Sequence, residues 1–168
     1  MNDSHFIEYC CYFNGNQDYF ECHEVLEEYW KEINGSKNHV LVGFILLATG
    51  LYHWRRGNHV GAGRTLKKAH QLLSQQQHAT YFEWIHSNKL HQSITASLNH
   101  IQQQQPFKPF LLPITDAMFH SKVQQSIQLL PIIDTTFLMH KHTLRDRSDV
   151  ISERQTELTK RRQKIEKR

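Results

Sequence analysis

Val40-Leu41-Val42-Gly43-Phe44-Ile45-Leu46-Leu47-Ala48-Thr49-Gly50-Leu51-Tyr52 is the longest apolar run of the chain, and it ends in His53-Trp54-Arg55-Arg56. At thirteen residues it is too short to cross a bilayer, for which a helix needs roughly 20. A helix that is hydrophobic nearly all round belongs at the centre of a bundle. Gly43 and Gly50 fall near one face of it, and each costs about 1 kcal/mol of helix propensity. Close approach of a neighbouring helix explains why they are there. Asn34-Gly35-Ser36 precedes the run, so the reading starts this helix at about 37 with Ser36 as its cap and stops it at Gly57.

The preceding stretch, Asp18-Tyr19-Phe20-Glu21-Cys22-His23-Glu24-Val25-Leu26-Glu27-Glu28-Tyr29-Trp30, reads as a second helix. Asp18 caps it and Glu21, three residues on, has capping-box spacing. An advance of about 100° per residue puts Cys22, Val25, Leu26, Tyr29 and Ile33 on the core face. Glu21, Glu28 and Glu32 then face solvent. Phe20, His23, Glu24 and Glu27 fall on the flank between, with Trp30 beside His23.

Elsewhere no segment alternates cleanly, so the fold class is all-α: a compact helical bundle with a central hydrophobic helix and a basic C-terminal helical tail. A helix from about 4 to 13 precedes Asn14-Gly15-Asn16. Asn58 caps another at about 59–74, and Thr80 with Glu83 is expected to open a third that runs to about 103. The bundle is assigned to residues 4–104. Pro106 to Pro113 forbids helix, so 105–133 reads as a proline-containing linker plus a short helix from Asp116 to Leu129. Residues 134–168 complete the chain as a charged helix or tail.

The formal charge of +4 is unevenly spread. Residues 1–140 carry ten Lys/Arg against eleven Asp/Glu, whereas 141–168 carry ten against five. Arg145, Arg147, Arg154 and Lys160-Arg161-Arg162-Gln163-Lys164 could track phosphates. Interleaved acids and the lack of aromatics beyond Phe137 make a solvated helix, or a helix docking on a protein partner or a second copy, the competing readings. Three cysteines, Cys10, Cys11 and Cys22, do not make a disulfide framework. No secretory signal is visible in residues 1–8, and a cytoplasmic protein is expected, with no membrane partner.

Two stretches together resemble a known family. Phe13-Asn14 followed by Tyr19-Phe20-Glu21-Cys22-His23-Glu24-Val25-Leu26-Glu27 and Trp30 is one. Leu41-x-Gly43-x-Ile45-x-x-Ala48, Tyr52-His53, Gly57-Asn58 and Gly61-Ala62 make the other. The pair is similar to the bacterial and archaeal domain-of-unknown-function family 309, the YpuF-like proteins, over about residues 8–75. Cys22 departs from the alanine that the family favours. Arg145-Asp146-Arg147-Ser148-Asp149-Val150-Ile151 also resembles the C-terminal region of the closer YpuF-like members. The resemblance implies a compact helical domain and no particular reaction.

A ligand- or partner-binding site is therefore sought among His23, Glu24, Glu27, Trp30, His53 and Arg56. The helices of 18–33 and 37–56 run antiparallel across a short turn, which brings His53 and Arg56 to the level of Phe20–Glu24. Glu24 or Glu27 is expected to meet His53 or Arg56, with His23 on the same wall. Three readings follow. A buried polar network would fix helix register. His23, Glu27 and His53 could hold a divalent metal. A glutamate shielded by Phe20 and Trp30 could exchange a proton with His23 in acid–base catalysis. His23-Glu24-Val25-Leu26-Glu27 lacks the second histidine of the zinc-protease pattern, and Glu83-x-x-His86 is a lone match to the di-iron pattern. No serine or cysteine stands at a nucleophile elbow, so catalytic residues are left unassigned.

Overall fold

The computed structural model describes residues 4–144. Among them are seven α-helices: α1 (Ser4–Asn14), α2 (Tyr19–Glu32), α3 (Val40–Arg55), α4 (His59–Gln75), α5 (Ser87–Gln102), α6 (Ala117–Ile127) and α7 (Thr135–Leu144). The all-α expectation holds. The basic run from Arg145 to Arg168, with the phosphate-tracking residues and the 145–151 resemblance, lies outside the described residues.

Central α3 behaves as its composition demands. Leu41, Phe44, Leu47, Ala48 and Leu51 are fully buried, and Trp54 very nearly so. α2 packs on one side of it and α4 on another, with α1 against α2, α5 against α4 and α6 against α1. The two glycines of α3 do admit α4. A Cβ on Gly43 would stand 2.7 Å from Leu73 Cδ2, and one on Gly50 2.6 Å from Leu66 Cγ. Tyr9 of α1 reaches into the same core and donates its hydroxyl to the Phe44 carbonyl at 2.9 Å.

Several caps match the reading from sequence. Asp18 accepts from the Glu21 N–H at 3.1 Å and Asn58 from the Gly61 N–H at 2.9 Å; Asp116, read as the first residue of its helix, is instead its cap and accepts from the Phe119 N–H at 2.6 Å. Gly57 stops α3 with φ +75°, a conformation that glycine adopts at no steric cost.

Three details differ. Ser36 does not cap α3; His39 does, through a ring nitrogen 3.3 Å from Leu41 N. Ile33 lies 42% exposed, because α2 ends at Glu32 and the chain has already turned away from the core. Thr80–Glu83 forms one 3-10 turn, not the start of a long helix. The chain then extends, Ile85 pairs with Ile114 in an antiparallel bridge, and His86 N–H donates to Pro113 O at 2.9 Å while Thr115 N–H donates to Trp84 O at 2.8 Å. Burial of Ile85 together with these backbone bonds outweighs continuation of the helix.

Residues 105–116 contain no helix, as their prolines require. They run as an extended strap across the bundle. Leu112 is buried, and the Asn14 side chain holds its backbone on both sides, donating to Leu112 O at 3.2 Å and accepting from Leu112 N at 2.8 Å. Phe107 packs edge-on to Trp54 and Phe110 tilts against Phe13. Beyond α6 the chain returns, and α7 lies against α2 with Leu138 buried.

Candidate functional site

The flank of α2 forms as its periodicity predicts. Cys22 and Leu26 face the core with no exposure, which leaves Phe20, His23, Glu24 and Glu27 half-buried beside them. His23 Nδ1 is 3.1 Å from Glu24 Oε1, and Nε2 is 3.4 Å from Glu27 Oε2. Both ring nitrogens thus meet a carboxylate oxygen. An imidazolium can donate on both sides, whereas a neutral ring can donate on one.

His53 and Arg56 stand where the antiparallel turn places them. With His23 they line a cavity of about 220 Å³ whose walls are Tyr19, Phe20, Thr49 and Tyr52. Burial, reinforced by the neighbouring Arg56 charge, pulls the His53 imidazole below its usual pKa. Arg56 stacks over the Tyr52 ring at 5.6 Å. The lining is therefore largely aromatic, with Thr49 and Arg56 among the polar groups beside the rings.

Of the two carboxylates expected to meet His53 or Arg56, Glu24 and Glu27, Glu27 takes a different course. It pairs along its own helix, with His23 and with Lys31 Nζ at 3.2 Å, because residues four apart are neighbours on a helix surface while His53 and Arg56 lie across the cavity. The group of metal-ligating side chains that comes together among the described residues is His23, Glu24 and Glu27, with one ligand atom from each within 4.8 Å of the others. Glu24 thus stands where the sequence reading put His53, whose Nδ1 faces the Asn58 amide at 3.5 Å.

Trp30 works at the end of α2. Its indole N–H donates to Ser36 O at 3.0 Å, and its ring fills the space over Gly35, where a Cβ would come within 2.2 Å of Trp30 Cδ1. It pins the α2–α3 turn and so sets the register of the two helices that carry the histidines.

Sequence reasoning missed the contribution of α7. His142 lines the cavity, with Nδ1 2.9 Å from the Tyr52 hydroxyl, and its backbone N–H donates to the same oxygen at 3.2 Å. One residue earlier, Lys141 meets Asp18 at 2.5 Å and Glu21 at 2.7 Å. Glu21, read as a solvated residue, is in fact half of this clamp. Nothing local in the sequence pairs residues 90 or more positions apart. An isolated lysine after an apolar turn was the only trace.

Thiol chemistry has no place here. Cys10, Cys11 and Cys22 are free and buried, and burial pushes all three thiols up, away from the reactive thiolate form. Among the described residues no helix is long and apolar enough to cross a membrane.

Residues 6–65 match the family described as Domain of unknown function (DUF309). The uncharacterised protein YpuF of Bacillus subtilis (strain 168) is 35% identical over 165 residues, covering 94% of this chain and 95% of that relative. No solved structure matches. Agreement over nearly the full length of both chains, the α6 and α7 region included, goes well beyond the matched α1–α4 segment: the chain belongs to the DUF309 family of YpuF-like proteins.

Proposed function

We propose that the protein is a binding module whose α2–α3 cavity takes a small, planar aromatic molecule. One observation carries the reading: a largely apolar cavity of about 220 Å³ is lined by the Phe20 and Tyr52 rings and by three imidazoles, His23, His53 and His142. Apolar walls with a few placed polar groups are the usual make-up of ligand sites, and this volume lies below the roughly 300–1,000 Å³ of drug-sized ones. The ligand is correspondingly small. Aromatic faces favour a flat ring, and the His53 imidazole, whose Nδ1 faces Asn58, can offer its Nε2 to a hydroxyl or ring N–H. We place the working compartment in the cytoplasm, which suits three unpaired thiols.

Phenol and indole serve as probes. Amide shifts on titration should centre on Phe20, Thr49 and Tyr52 and disappear in Thr49→Trp, which fills the cavity. Shifts scattered over the surface, or unchanged in the plugged variant, would sink the proposal.

A second reading rests on the convergence of His23, Glu24 and Glu27. One imidazole and two carboxylates suit a divalent ion such as Zn or Mn, and such an ion would join the site as a Lewis acid. Calorimetric titration with Zn and Mn should give one ion per chain, lost in His23→Ala. Binding that His23→Ala leaves intact rules this reading out.

A further inference from the structure

Arg55, the last residue of α3, is not among the residues that line the His23 cavity. Its guanidinium sits 4.6 Å from the centre of the Tyr19 ring and 5.7 Å from that of Phe107. One N–H donates to Gln17 O at 2.8 Å, while Nε is buried without an acceptor. Among the described residues no carboxylate lies within ion-pair distance of it. Asp18 attracts Arg55 from farther off, but the Asp18 oxygens are already committed to Lys141 and to the Glu21 N–H. Burial works against the charge of Arg55, so a partly buried guanidinium with one carbonyl partner is an expensive arrangement.

Arg55 also lines a cavity of about 340 Å³. Asn16 and Gln17 share its polar wall, and the Asn16 amide nitrogen is likewise buried with no acceptor. Gln17 holds φ +58°, a left-handed conformation unusual for a residue other than glycine, and its carbonyl is the one that meets Arg55. The remaining walls are aliphatic, supplied mainly by Ile127, Leu130, Ile133 and Leu138. Among the described residues no acidic side chain lines the space.

We infer that this second cavity is a binding site for a small aliphatic monocarboxylate. The carboxylate lies against Arg55, whose planar fork of donors suits it, with the Asn16 amide beside it. The hydrocarbon body packs on the Ile133 and Leu138 side. A monoanion fits better than a phosphate, because a single arginine beside Asp18 cannot balance a second negative charge and the facing wall is aliphatic. The two cavities share no lining residue; Tyr19, which carries the Arg55 guanidinium on its ring and also lines the aromatic cavity, is left unchanged in the test.

The test uses the full chain with butyrate and its neutral isostere butyramide at pH 7, followed by calorimetry and amide shifts. Butyrate should bind at least ten-fold tighter than butyramide, with shifts at Asn16, Gln17, Arg55 and Leu138. Arg55→Gln should reduce butyrate to the butyramide level, and Ile133→Trp, which fills the cavity from its aliphatic side, should abolish both. Equal affinity for acid and amide, no saturable butyrate binding, or full binding by a folded Arg55→Gln protein would overturn the assignment. If Arg55→Gln does not fold, the acid–amide comparison and Ile133→Trp decide the matter.

Discussion

Lys141 Nζ stands 2.5 Å from the Asp18 carboxylate across 123 residues of chain. Asp18 is 1% exposed, so the pair anchors α7 to the N-terminus of α2 from inside the protein. Lys141→Met leaves a buried carboxylate without its cation and should cost about 3 kcal/mol in urea unfolding. Asp18→Asn should cost less, about 1 kcal/mol, since asparagine also caps helices and Glu21 keeps its hold on Lys141. The double variant should lose less than the two losses added, and strict additivity would show that the pair does not couple. Burial opposes the Lys141 charge, but its hydrogen bonds and charge pairing with Asp18 and Glu21 win and raise its pKa above 10.5. Its contribution is therefore complete below about pH 10.5 and fades as pH climbs through the raised value.

Gly43→Ala and Gly50→Ala separate propensity from packing. Alanine should add about 1 kcal/mol of helix propensity, yet each new methyl meets a leucine of α4, and overpacking costs about 1–3 kcal/mol. Net destabilisation is expected for both. It should be larger at Gly50, where the added Cβ would also come 3.2 Å from the Leu66 backbone nitrogen, against 3.5 Å for Leu73 at Gly43. A rise in melting temperature at either position would refute the close-approach argument.

Mild acid should loosen the start of α3. Burial lowers the pKa of His39 from 6.5, and its Nδ1 must stay unprotonated to accept from Leu41 N–H. His53 and His91 are shifted in the same direction. In each case the unfolded chain takes up the proton first, so stability is intact above about pH 6.5 and falls as pH drops below it. His39→Ser keeps a capping oxygen and loses the titration. Its stability should vary less between pH 7.5 and 5 than that of the parent protein; identical pH profiles would absolve His39.

A thiol reagent offers a quick measure of core integrity. With all three cysteines buried, the native protein should react with an aromatic disulfide reagent many-fold more slowly than the urea-unfolded chain. Fast reaction of Cys10 or Cys22 in native buffer would mean that the α1–α2 interface opens readily, and fast reaction of Cys11 alone that α6 lifts from α1.

What could be read from the sequence was whatever depends on neighbours within two or three helical turns. The centrality of α3 follows from its unbroken apolar surface, the flank of His23 and Glu27 from 3.6-residue periodicity, and the cap of Asp18 from its position ahead of that pattern. The closeness of His23, His53 and Arg56 needed only a short turn between two helices. Other features depend on tertiary competition. Thr80 and Glu83 have capping-box spacing, but the pairing of Ile85 with Ile114 claims the backbone there. His142 and Lys141 reach the site from a helix whose docking surface is set by residues some 90 to 120 positions earlier. Arg55 read as the polar end of a core helix; that no carboxylate among the described residues pairs with it is a property of the assembled protein.

The grip of Asn14 on Leu112 also bears on the order in which the chain assembles. α2, α3 and α4 are joined by short connections and can dock as soon as they are made, since local contacts carry little loop-closure entropy. Asn14 must wait for a strap 98 residues farther along, and Asp18 waits longer still for Lys141. During synthesis the N-terminal helix pair therefore finds its inner partners early and its outer ones late. Asp18 and Asn14 thus take their long-range partners from segments made 123 and 98 residues later, so the outer closure of the bundle depends on the C-terminal part of the described chain.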